Sequence, residues 1–274
     1  MTTLMLRLEL GRSNARLLQI AGDLAQTLSA SLIGFAACQP LRVIYGDGYM
    51  SGDVIQQDRD EIDKEIKAAE AEFRSLLKDR LKDLEWRSGV TYADLADYLA
   101  HQARNADLII TGVDRSGSLF DSSRHVNVGD LVMQAGRPVL IVPASAGELK
   151  LNHILVGWKE TREARRAAFD ALPLLKKAGR VTIVEIAAEP ALAAARSHLA
   201  DVAGWLKRHG VGAESIAAGS VGDDATRLSQ IATEQQADLI VAGAYGHSRV
   251  REWALGGVTQ DLLLCADRCS LVSH

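Results

Sequence analysis

Four glycines near the C-terminus have the spacing richest in chemical content. They occur as Gly243-x2-Gly246-x9-Gly256-Gly257, directly after the apolar run Leu239-Ile240-Val241-Ala242. A short apolar run that ends on glycine reads as a buried strand, and the stretch after it as a strand-to-helix turn. Glycine accepts positive φ and lets backbone approach a ligand with no Cβ in the way. The free N–H groups of a helix start, with about half a positive charge from aligned peptide dipoles, favour an anion there. The pattern is a candidate phosphate cradle; the alternative is a tight turn whose glycines serve packing. His247, Ser248, Arg249 and Arg251 follow Gly246. An arginine fork matches phosphate oxygens, and the same residues equally suit a solvated helix start.

Other chemistries find little footing. The seven histidines are not paired at metal-ligand spacing, and Cys265 and Cys269 stand four apart with no companion ligands. Buried, inert thiols are the expectation for them. There is no G-x-S-x-G elbow and no G-x4-G-K-[ST] loop. The 46–53 stretch GDGYMSGD does not join a strand to a helix with G-x-G-x-x-G spacing, so it reads as a surface loop or a lid. No general base is placed beside the glycine series. The expectation is a protein that is not an enzyme, with any ATP cleavage slow and incidental.

Composition narrows the class further. A formal net charge of −4 offers no surface for nucleic acid or an anionic membrane. No apolar run reaches a membrane span, and the N-terminal residues lack a signal layout. Three cysteines are too few and too odd a set for a secreted disulfide framework, so a cytoplasmic location is expected.

The elements that must position the glycines come as an internal repeat. Ala106-Asp107-Leu108-Ile109-Ile110-Thr111-Gly112 returns as Ala237-Asp238-Leu239-Ile240-Val241-Ala242-Gly243. At the same offset Asp130-Leu131 pairs with Asp261-Leu262, and Arg137 with Arg268. A register kept over this distance argues for a duplicated domain. The predicted halves are 1–146 and 151–274, joined through the small and polar stretch 144–151.

Each half alternates strands with helices, which implies parallel βαβ units. Predicted strands cover 4–9, 31–37, 84–87, 108–111 and 139–142, then 154–157, 181–186, 213–217, 239–242 and 270–272. Helices are expected over 62–81, 161–177 and 190–208. Thr91 with Asp94 reads as a capping box for another that runs through Arg104. With strand order 3-2-1-4-5, ligands belong at the carboxyl ends of strands 1 and 4, where the order reverses. In the second half those ends are Gly157-Trp158-Lys159 and Gly243. In the first half Arg115, His125 and Val126 stand opposite Gly246, Gly256 and Gly257, and only Gly112 is kept. A β-branched valine is poorly suited to positive φ. The first half is therefore expected to have lost phosphate binding and to serve as a structural partner, with the two fifth strands pairing along their edges.

At these residues the chain resembles a known family. Gly243-x2-Gly246-x9-Gly256, followed by Val258-Thr259, is similar to the G-2x-G-9x-G(S/T) signature of universal stress proteins. With the repeat, the resemblance is to tandem members and covers essentially the whole chain. It implies an α/β fold of two five-stranded parallel-sheet domains packed as an intramolecular pseudo-dimer, which can pair further into a homodimer. It also implies an adenine-nucleotide sensor or regulator of the stress response, binding ATP or AMP, with Mg only as the nucleotide's companion and with a protein partner of unknown identity. Carried over by motif, Gly243, Gly246, Gly256, Gly257, Val258 and Thr259 would hold phosphates and ribose, flanked by His247 and Arg249. Gly157, Trp158, Lys159 and Ile186 would surround the base. Two residues depart from the pattern. Gly257 replaces the usual Ser or Thr, and Lys159 stands where the family often has Asp; in the first half Leu10 is read as the equivalent residue, also without a carboxylate. An ammonium cannot accept a hydrogen bond from an adenine amine. The other reading is a scaffold of the same fold, acting through protein contacts without nucleotide.

Overall fold

Residues 3–7 form the first strand because three large apolar side chains, Leu4, Met5 and Leu6, are wholly buried there. The computed structural model describes residues 1–41, 52–113, 123–220, 222–244 and 268–274. In chain order the elements are β1 (Thr3–Arg7), α1 (Ala15–Leu28), β2 (Ser31–Cys38), α2 (Gly52–Leu77), β3 (Leu84–Val90), α3 (Leu95–Gln102), β4 (Leu108–Gly112), α4 (Val128–Ala135) and β5 (Val139–Val142). They continue as β6 (His153–Trp158), α5 (Arg162–Asp170), α6 (Leu172–Leu175), β7 (Arg180–Ala187), α7 (Leu192–Arg208), β8 (Glu214–Gly219), α8 (Asp224–Glu234), β9 (Leu239–Gly243) and β10 (Cys269–Ser273).

The chain divides into two compact units, Met1–Ala135 and Gly136–His274. The first contains the parallel order β3-β2-β1-β4. The second contains β8-β7-β6-β9-β10, also parallel, with β5 added antiparallel along β10. Ser270, Leu271 and Val272 face Ile141, Leu140 and Val139, so the expected pairing of the two fifth strands is present. The division into units therefore falls ahead of the polar stretch 144–151, since the buried β5 packs with the later residues. The fold is α/β and mostly parallel, with two similar halves in tandem.

Three local expectations need correction. The helix foreseen over 161–177 is two, α5 and α6, because Pro173 has no N–H for Phe169 and sits in the first turn of a new helix. Asp94 caps α3 by itself, its Oδ1 accepting from the N–H groups of Ala96 and Asp97, while Thr91 Oγ1 accepts from Ala93. The long amphipathic helix begins at Gly52 rather than Ile62. Gly46 and Gly48 lie outside the described residues.

The repeated aspartate has one task in both halves. Asp107 Oδ2 accepts from Thr3 N–H at 3.1 Å, and Asp238 Oδ2 accepts from His153 N–H at 2.9 Å. The backbone N–H of each aspartate returns a 2.8 Å bond to the carbonyl of the same strand residue. The start of strand 1 is thus fixed beside the start of strand 4, which sets the register of the pair that carries the site.

Candidate functional site

In the second unit β6 lies between β7 and β9. From β6 the chain goes to β7 on one side, and from β9 to β10 on the other. The order reverses between these neighbours, and the carboxyl ends of β6 and β9 flank the crevice where such sheets take ligands. Gly157 and Trp158 end β6, Lys159 follows, and Gly243 ends β9. Ile186, half-buried, is near the end of β7. Gly246, His247, Arg249, Gly256, Gly257, Val258 and Thr259 lie outside the described residues, as does Cys265.

Packing accounts for both described glycines. A Cβ on Gly243 would stand 2.5 Å from Ala164 N and Glu163 C, so the first turn of α5 rests directly on the glycine. That turn is capped by Thr161, whose Oγ1 accepts from Ala164 N–H at 3.3 Å. Glu163 is buried beside it and paired with the exposed Arg162. Burial pushes its carboxyl pKa up, but bonds from Arg162, from its own N–H and from Thr161 outweigh this and hold it below the usual range. On the other face a Cβ on Gly157 would meet Leu228 Cδ2 of α8 at 3.2 Å.

Around these glycines stand polar groups. Trp158 is buried and its Nε1–H donates to Glu160 Oε1 at 2.9 Å. That bond, with help from Arg165, holds the Glu160 carboxyl below its ordinary pKa despite some burial. Across the strands Trp158 faces Glu185, which is buried, with Oε1 3.3 Å from His198 Nδ1. Lys159 Nζ lies 3.7 Å from Asp224 Oδ2, and Asp224 Oδ1 accepts from Ser220 Oγ–H at 2.8 Å. Sequence reading missed Asp224, Glu163 and the Glu185–His198 pair. Asp223, the cap of α8, is the one local signal nearby; the partners themselves are far apart in the chain.

The first unit differs at the matching positions. Leu4 faces Leu108 as Ile154 faces Leu239. Counted from these pairs, Arg7 matches Gly157, Leu8 matches Trp158 and Glu9 matches Lys159. The residue matching Lys159 is thus Glu9 and not Leu10, and the first half does have a carboxylate there. Its Oε1 is the group a Cβ on Gly112 would meet, at 2.8 Å. Arg7 is buried, with Nη2 donating to Arg124 O at 3.1 Å and Nη1 to Thr111 Oγ1 at 3.4 Å. Arg124 in turn pairs with Glu65 of α2 at 2.7 Å. Glu72 of α2 accepts from Asn14 N–H and Ser13 Oγ–H in the loop after β1. A guanidinium occupies the place of Gly157, and α2 ties down the loop beside it. Among the described residues no group of His, Cys, Asp or Glu has the arrangement to hold a metal ion.

Two tandem, mostly parallel α/β halves define the fold class, and in the second the sequence of the glycine series begins at the end of β9, at the switch point of the sheet. The universal stress protein family model matches residues 150–268. A universal stress protein from Archaeoglobus fulgidus DSM 4304 is 14% identical, with 99% of this chain and 97% of that one covered at a TM-score of 0.74. A protein of unknown function from Pseudomonas aeruginosa PAO1 is 13% identical, with 99% and 92% covered at 0.58. These likenesses extend the fold to the whole chain. A further universal stress protein from Archaeoglobus fulgidus, in complex with dAMP, is 17% identical, with 52% and 97% covered at a TM-score of 0.34. No curated protein matches the chain. Among the described residues no helix is long and apolar enough to cross a membrane.

Proposed function

We propose that the second unit binds an adenine nucleotide, ATP or AMP, and that the protein is a cytoplasmic sensor or regulator in the stress response without efficient catalysis. The observation that supports this most is topological. The chain leaves β9 at Gly243, beside β6, and runs directly into the Gly243-x2-Gly246-x9-Gly256 series. Backbone N–H groups of such a turn suit the phosphates. At the described end of the crevice, Lys159 and Asp224 supply a donor and an acceptor suited to a base. The first unit, with Arg7 in the place of Gly157, contributes no second site.

Native mass spectrometry of the whole chain with ATP tests this reading. One nucleotide per chain, lost in Gly246→Asp, is the expected result. Two per chain overturn the assignment to the second unit. No nucleotide at about 1 mM ATP, a concentration that saturates a site with Kd near 10 μM, overturns the reading altogether.

The scaffold reading has its own observation. Gly157 and Gly243 are both filled against by protein, Leu228 and the α5 backbone, so each has a packing reason to be glycine. Under that reading the partners captured by the protein are the same with and without nucleotide, and the same for Gly246→Asp.

A further inference from the structure

Asp58, Glu65 and Glu72 stand at every second turn of α2, so they form one stripe. All three reach off the helix. Asp58 Oδ2 accepts from Leu41 N–H, in the segment after β2, at 3.0 Å. Glu65 Oε2 accepts from Arg124 Nε–H at 2.7 Å, and its Oε1 lies 3.0 Å from where a Cβ on Gly11 would stand. Glu72 accepts from Asn14 N–H at the start of α1. Asp63 and Glu70, by contrast, pair with Lys67 and Arg74 of α2 itself. The stripe therefore crosses the segments that follow β1 and β2. Cys38 ends β2 there and is wholly buried. Burial pushes its thiol pKa up to about 11; Arg124 opposes this, and Glu65 and Asp58 add to it. The thiol thus lies beside the stretch of α2 between Asp58 and Glu65.

The two ends of α2 are held by different forces. Phe73 and Leu77 are wholly buried, and each fills a place left by a glycine. A Cβ on Gly34 of β2 would stand 2.7 Å from the Phe73 ring, and one on Gly22 of α1 would stand 2.7 Å from Leu77 Cδ2. Residues 52–61 contribute no buried side chain, and Ile62 is the first. Among the described residues, this end is held mainly by Ile62 and by the polar bonds of Asp58 and Glu65. Segments with few buried apolar groups open locally, at free energies well below that of unfolding. We infer that α2 is a hinged strap on the first unit: residues 69–77 are the fixed hinge, and residues 52–65 lift away when Glu65 releases Arg124, uncovering Cys38. The reactivity of the thiol is then set by the helix. The strap is independent of the nucleotide reading, which concerns the second unit.

The test labels the full chain with iodoacetamide, reads Cys38 by peptide mass, and follows amide hydrogen exchange in the same samples. In the wild type, residues 52–65 should exchange faster than 69–77. Glu65→Gln removes a charge-assisted bond and should speed the labelling of Cys38 about tenfold, the scale of one such bond. Exchange over 69–77 and in β1 should stay as in the wild type, which separates lifting of the strap from unfolding of the unit. Glu72→Gln leaves the hinge seated through Phe73 and Leu77, so Cys38 labelling should stay within about twofold. If Glu65→Gln speeds exchange in β1 as much as it speeds labelling, Glu65 holds the fold and there is no strap. If Glu72→Gln speeds labelling as much as Glu65→Gln, α2 moves as one body and the hinge is wrong. Unchanged labelling in Glu65→Gln overturns the inference outright.

Discussion

Three carboxylates are held in their ionised form by named donors, and acid should find them. Asp107 is raised by burial, but the N–H groups of Thr2 and Thr3 more than reverse this and lower its pKa; Glu160 and Glu163 are lowered as well. A folded-state pKa below the unfolded value means that the unfolded chain binds protons first as pH falls. The contribution is complete above the ordinary carboxylate range and is lost as pH drops through the depressed values, below about pH 4. Urea midpoints measured from pH 7 to pH 3 should fall over that window, and Asp107→Asn should be less stable at pH 7 with a shallower fall. A curve of wild-type slope in that variant removes Asp107 from the account. Glu185 offers a second case. Its Oε1 has His198, and its Oε2 is buried without a partner among the described residues. His198→Ala removes the side-chain partner of the buried Glu185 Oε1 and should cost about 1–3 kcal/mol in urea denaturation, the cost of an unmade buried hydrogen bond. Adding Glu185→Leu should restore part of that loss, since no polar group then stays buried without a partner; if it deepens the loss instead, the pair is not what the stability depends on.

At the scale of elements, the repeated glycine separates packing from ligand approach. Gly112 and Gly243 end corresponding strands, yet their surroundings differ. At Gly243 the obstacle to a methyl group is the α5 backbone at 2.5 Å, which cannot swing aside. At Gly112 it is the end of the Glu9 side chain, which can. Gly243→Ala should therefore destabilise by about 2 kcal/mol, the cost of forcing atoms into a filled place. Gly112→Ala should stay within about 0.5 kcal/mol, like an ordinary surface change. Equal losses at the two positions would contradict this difference. The sequence made the strands legible, because short apolar runs ending on glycine have few other interpretations. It also showed the repeat, whose Asp107 and Asp238 prove to brace strand 1. Three things were less legible. The break at Pro173 was written in the chain but hidden under a continuous apolar stripe. The match of Glu9 to Lys159 depends on strand register, where a slip of one residue exchanges the faces of a strand and led to Leu10. Asp224 and His198 meet their partners only through tertiary packing, which no local pattern encodes.

At the scale of the molecule, β5 is the element whose place in sequence and place in space part company. By the repeat it is the last strand of the first half; by packing it belongs with Gly136–His274, antiparallel along β10. Its four residues, Val139, Leu140, Ile141 and Val142, are all buried. Without them the apolar Leu271 and Val272 and the open hydrogen-bonding edge of β10 face solvent, and such an edge seeks another strand. Two fragments distinguish sequence boundary from structural boundary. Residues 136–274 retain β5, which covers the β10 edge with the buried Leu140 and Ile141, and should be the more stable fragment in urea denaturation. Residues 151–274 lack it and should unfold at lower urea, because the β10 edge and the apolar Leu271 and Val272 lose their cover. Leu271→Pro in the longer fragment should loosen β5 without lengthening the exposed edge, since proline cannot donate to a ladder on either side. Should the 151–274 fragment be as stable as 136–274, β5 is not the strand that completes the second unit, and the division of the chain belongs at the polar stretch 144–151 after all.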